Sequence, residues 1–226
     1  MLASEHDCAA VEQAFLNRIA DVAFPCVGAK SALAQGNLHV LSCWNLSSGW
    51  DDLRIHRELL SWANKYRQDQ SGLRSLAVIF QEPAELTEIE FEQLMWERIQ
   101  SFADKDAWLG QAYDQRVSPD PSNPHFSLSF GGEAFFVVGL HPNASRPARR
   151  FERPTLVFNL HAQFEKLREE GRYERIRERI IARDVELAGT PNPMLARHGE
   201  TSEARQYSGR KVDGDWQCPF QDPRAP

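Results

Sequence analysis

The sequence predicts an α+β fold in a single domain, a small mixed or antiparallel sheet flanked by helices. Three observations predict it. Stretches with apolar residues at helical spacing are interspersed with short β-prone runs. Two of those runs meet at Gly131-Gly132, a hairpin-type turn. The 226 residues are enough for one sizeable core, followed by an irregular segment over 189–226.

Taken in order, residues 5–22 place Val11, Phe15, Leu16, Ile19 and Val22 on one helical face. Pro25 ends that helix, and residues 27–35 form a short second one stopped by Gly36. Residues 38–44 read as a strand. Ser47 to Asp51 supplies turn and cap residues for a helix over 51–68, with Leu53, Leu59, Leu60, Trp62 and Tyr66 inward. Residues 75–80 are a continuous apolar run of strand length, broken by Pro83. Thr87 starts a helix over 88–103 that presents Ile89, Phe91, Leu94, Met95, Trp96, Ile99 and Phe102 to the core. Pro119, Pro121 and Pro124 make residues 114–125 a loop. The hairpin strands 126–130 and 134–140 follow, then a strand over 155–160. Residues 161–187 are helical in two segments hinged near Gly171, and no long periodic element follows Gly189.

Composition limits the function. A net charge of -6 argues against general nucleic-acid binding. No apolar run reaches membrane-span length, and residues 1–7 are polar and acidic rather than leader-like. Cys8, Cys26, Cys43 and Cys218 lie far apart, suggesting neither a disulfide framework nor a zinc site, and a reducing, cytoplasmic setting is expected. Walker, dinucleotide-binding and nucleophile-elbow motifs are absent.

Two stretches carry chemistry. Cys26 stands between Pro25 and a helix start, where unpaired N–H groups lower a thiol pKa and hold a thiolate, as nucleophile or metal ligand. His141 closes a strand ahead of Pro142, a common place for a ligand or acid–base group. Behind it, Arg146, Arg149 and Arg150 are three guanidinium forks suited to carboxylates or phosphates. From 146 to 183 there are eleven Lys and Arg against six Asp and Glu, most of them paired along a solvated helix face. Glu133 beside the hairpin turn is a candidate carboxylate, with a solvated edge as the plainer reading. His161 reads as a cap or a neutral ligand at a helix start. His6, His39, His56, His125 and His198 have no partners at ligand spacing, and Cys218-Pro219 reads as incidental.

Residues 25–38, with Pro25-Cys26 ahead of Ser31-Ala-Leu-Ala34 and Gly36-Asn-Leu38, resemble the proximal loop of heme-thiolate peroxygenases, Val27 standing where those enzymes have a second proline. Three segments together, 24–33, 131–142 with Ser145-Arg146, and Ser202-Glu-Ala-Arg-Gln-Tyr-Ser-Gly-Arg210, resemble the YqcI/YcgG family over nearly the whole chain. That resemblance implies a heme-dependent N-hydroxylase acting on a guanidino compound such as arginine or an arginine-derived metabolite. It implies heme b, O2 or peroxide, and an electron-donor protein. On these segments Lys30, Arg205, Tyr207 and Arg210 join Cys26, Arg146, Arg149 and Arg150 as expected cofactor-binding residues, and His141 and Glu133 are the expected catalytic groups. The local physics favours Cys26 as the iron ligand, with His141 as its alternative, since no acceptor for the second histidine nitrogen is legible. A heme or small-molecule sensor or carrier without catalysis, and a cysteine-nucleophile enzyme, are the other readings.

Overall fold

A computed structural model describes residues 5–225, with side chains from Asp7 on; the first four residues and the His6 side chain lie outside it. Helix α1 (Glu5–Ala20) buries Val11, Phe15 and Ile19. It ends two residues short of Val22, which is left 83% exposed rather than facing the core. Helix α2 (Val27–Ala34) begins at Cys26, whose sulfur accepts from the Ala29 amide at 3.4 Å. Strand β1 (Leu38–Asn45), helix α3 (Asp52–Gln68) and strand β2 (Ser75–Glu82) form a crossover unit, so β1 and β2 run parallel. Helix α4 (Glu88–Trp108) starts in a reciprocal capping box between Thr87 and Glu90 and runs five residues beyond the expected end. Leu53 and Ile89 turn to solvent at the first turns of α3 and α4, before either helix reaches the sheet.

Strands β3 (Leu128–Phe130) and β4 (Glu133–Leu140) form the hairpin, with Gly131 and Gly132 at φ 59° and 78°, a turn that only glycine makes cheaply. Strand β5 (Thr155–Leu160) inserts between β2 and β4, giving a five-stranded mixed sheet in the order β1-β2-β5-β4-β3. Helices α5 (His161–Glu169) and α6 (Tyr173–Ala188) hinge at Gly171.

Alternation along the strands gives the sheet two faces. Leu76, Val78, Phe80, Phe135, Val137, Leu156 and Phe158 point toward α3 and α4, in one aromatic-rich core. Ala77, Ile79, Val138, Leu140 and Val157 point the other way, toward α1 and α2.

The C-terminal segment, irregular as expected, is fastened down. A short helix α7 (Ala204–Tyr207) packs on β4, whose second half has no β3 neighbour. Gly139 permits that approach: a Cβ there would lie 2.7 Å from the Phe91 ring and 3.0 Å from the Tyr207 carbonyl. Phe220 enters the aromatic core, and Arg224 reaches Asp106 at 2.6 Å, beside the 2.7 Å His56–Asp106 contact.

Candidate functional site

The site lies on the second face of the sheet. There β2, β5 and β4 offer Ser75, Asn159, Phe136 and Val138 as a floor, and α2, α5, α6 and the segment after Gly189 form the roof. They enclose a cavity of about 220 Å³. A second lobe of about 200 Å³ shares Cys26, Ala29, Val138, Asn159, Ile180 and Leu195 as walls and extends to Asp184 and Arg149.

Cys26 lies where the two lobes meet. Its helix-start position is as expected, but the expected thiolate is not. Burial pushes the thiol above its ordinary value, against the Ala29 and Gly28 amides and Arg149, which pull it down. Two fixed dipoles and a cation do not offset the loss of water around a charged sulfur.

At the other end of the first lobe three groups converge. His161 opens α5, His198 comes from the segment after α6, and Glu203 immediately precedes α7. One ligand atom from each lies within 4.8 Å of the others, a set able to hold a metal ion. His198 Nδ1 stands 2.9 Å from Glu203 Oε1, and the two imidazoles meet edge to face at 4.4 Å between centroids. The Gly199 amide donates to the Pro124 carbonyl at 3.1 Å, which fixes the turn carrying His198. His161 is not a helix cap: Nε2 contacts Glu165 Oε1 at 3.1 Å, and Nδ1 is buried without a hydrogen bond, 3.7 Å from Glu203. Burial lowers its pKa, with His198 and Arg168 acting the same way and Glu203 and Glu165 opposing.

Two further polar groups face this space. Asp184 spends Oδ2 on Arg146 at 2.9 Å, while its buried Oδ1 has no hydrogen-bond partner. Arg177, half-buried on the cavity wall, has no ion-pair or hydrogen-bond partner among the described residues.

The other expected site residues are elsewhere or already engaged. His141 lines neither lobe: it is 1% exposed, stacks on Phe91 at 4.5 Å, and burial pulls its pKa down to about 4. The strand end that should have presented it to a site is instead covered by α4. Arg149 gives its donors to the Gly139, Tyr207 and Gln206 carbonyls at 3.0–3.1 Å, and burial pulls its pKa down to about 10. Arg150 binds the Ala144 and Ser145 carbonyls. These guanidinium groups tie loops together, so an incoming carboxylate finds them occupied.

Glu133 is buried rather than solvated, 2.7 Å from Arg116, and Arg210 bonds Glu92 at 3.0 Å. Arg205 lies over the Trp216 ring and donates to backbone carbonyls. Lys30 donates to the Asp21 and Val22 carbonyls. Tyr207 is fully buried, its hydroxyl 3.3 Å from Glu203 Oε2, so it steadies the convergent carboxylate from behind.

His198, Glu203, Asp184 and Arg177 were missed as site residues. Glu203 sat unremarked in the segment 202–210, and the fold alone joins it to His198 and His161.

The YqcI/YcgG family model matches residues 14–221. No curated protein and no solved structure matches the chain.

Proposed function

Since the chain belongs to the YqcI/YcgG family, we propose that it is a heme-dependent oxygenase which hydroxylates a nitrogen of a guanidino compound in this two-lobed cavity. The observation that carries the reading is the enclosure itself: iron-ligand donors and a carboxylate with an unsatisfied oxygen line two adjoining, mostly apolar lobes.

The residues suit a heme in kind. Cys26, His161 and His198 are donors iron accepts, the walls are mostly apolar, and Arg177 is free for a propionate or a substrate carboxylate. Neither lobe alone reaches the roughly 300 Å³ at which pockets for drug-sized ligands begin. A macrocycle in the first lobe therefore needs added space, gained where Ile180 and Leu195, which line each lobe, turn aside, with the Asp184 end of the second lobe left to the substrate.

Heme bound there supplies the activation of O2 or peroxide. The substrate N–H becomes N–OH. With O2, the second oxygen leaves as water, taking two electrons from a donor and two protons; with peroxide, which already carries both, its second oxygen leaves as water and no donor is needed. Asp184 Oδ1 accepts a guanidinium N–H and so orients the reacting end. Val138 and Ile180, which line the same lobe, exclude water around it. The raised Cys26 thiol works against a cysteine-nucleophile enzyme.

The test is turnover of arginine and smaller guanidines by hemin-loaded protein, with O2 and a reductant or with hydrogen peroxide. The reading expects an N-hydroxyguanidine carrying one added oxygen, and a higher KM in Asp184→Asn. Heme uptake without any such product would mark a sensor or carrier instead.

A second reading rests on His161, His198 and Glu203, whose two-histidine, one-carboxylate make-up is that of non-heme iron oxygenases. Iron retained by purified protein without a Soret band would favour it.

A further inference from the structure

We propose that the iron ligand is His198, through Nε2, with Glu203 as the carboxylate that sets its ring and strengthens its donation; this rests on the heme reading above. A histidine that ligates a metal almost always gives its other ring N–H to a carboxylate or carbonyl. His198 has that arrangement. Nδ1 is 2.9 Å from Glu203 Oε1, while Nε2 has no hydrogen-bond partner among the described residues and the ring lines the cavity.

Glu203 is itself held, with Oε2 3.3 Å from the Tyr207 hydroxyl. The ring is steadied between His161 at 4.4 Å and His125 at 5.4 Å. His161 is paired in the same way, through Nε2 to Glu165, but it is the poorer ligand because its remaining nitrogen, Nδ1, is buried and turned toward Glu203 at 3.7 Å. Its unpartnered, buried Nδ1 faces the same cluster and is placed to bond a polar group held there. Cys26 is the poorer ligand because its sulfur is turned back onto its own helix start, accepting from the Ala29 amide at 3.4 Å. A histidine paired to a carboxylate carries part of an imidazolate's charge, and supplies to iron the electron push for which a thiolate is otherwise used.

Hemin titration of wild type, His198→Gly, Cys26→Ala, His161→Ala and Glu203→Gln tests the assignment, read by the Soret band, the ferrous-CO spectrum and the iron–histidine stretch. Wild type and Cys26→Ala should give the same imidazole-type spectrum. His198→Gly should lose it and regain it with added imidazole, which separates a lost ligand from a lost fold. Glu203→Gln should weaken heme affinity about 10–100-fold and lower the iron–histidine stretch. A wild-type spectrum kept by His198→Gly, or lost in Cys26→Ala or in a folded His161→Ala protein, overturns the ligand while leaving the heme reading intact. A wild type that gains no Soret band overturns the heme reading, and the ligand with it.

Discussion

The two faces of one sheet differ in how they are finished. On the face under α3 and α4, Phe80, Phe91, Phe102, Phe130, Phe135 and Phe158 are fully buried and interlock. On the other face the floor includes Ser75 and Asn159, and the covering residues Ile176, Ile180 and Leu195 are only half-buried or exposed. Packing that close stabilises the fold and leaves no room for a ligand. The looser face gives up that stabilisation and keeps two adjoining lobes with polar residues among their walls.

The difference can be broken by matched substitutions. Phe158→Ala on the filled face should cost about 3–5 kcal/mol in denaturant unfolding. Phe136→Ala, half-buried beside the cavity, should cost no more than about half of that. Equal losses would mean that the two faces are not different in kind.

His141, under α4 on the filled face, makes that packing sensitive to pH. It is buried as the neutral ring, its pKa down at about 4 from an unfolded value near 6.5. The folded state thus resists a proton that the unfolded state accepts. Stability from this group is whole above pH ~6.5 and falls by about 3 kcal/mol as pH drops through 4. His141→Gln should flatten that part of a stability-against-pH curve; an unchanged slope would place the acid sensitivity elsewhere.

Gly139→Ala should cost about 1–3 kcal/mol, because its Cβ meets the Phe91 ring and the Tyr207 carbonyl. Thermal melting of that variant measures how tightly α7 is pressed onto β4. The smallest effect is expected at Arg177. Its replacement by Ala should leave stability within about 0.5 kcal/mol, yet raise the KM for a carboxylate-bearing guanidine. A large loss of stability would make Arg177 a fastener like Arg149.

The filled face was legible in the sequence, and the site was largely not. Period-2 and period-3.6 patterns located every strand and long helix, since each follows from which residues must leave water. Leu53 and Ile89 fit the apolar pattern but lie at first turns that the sheet does not reach. Cys26 was found because its cue is local, a proline followed by a helix start. Its protonation state was misjudged because desolvation depends on what the fold places above it. His198 and Glu203 are five residues apart and His161 is far upstream, so only the return of the chain over β4 makes them one cluster. The arginines near His141 looked like anion ligands because sequence shows their donors but not the carbonyls that take them.

In the proposed reading the loose face, and not merely some part of the surface, receives the ligand. Ile180→Trp tests it most directly, since Ile180 lines both lobes and a larger ring there fills them without touching the aromatic core. Hemin titration followed by the Soret band, with melting temperature as the control, is the measurement. Wild type should take up one heme, and Ile180→Trp, folded and melting near the wild-type temperature, should take up none. Uptake by Ile180→Trp equal to wild type would contradict it.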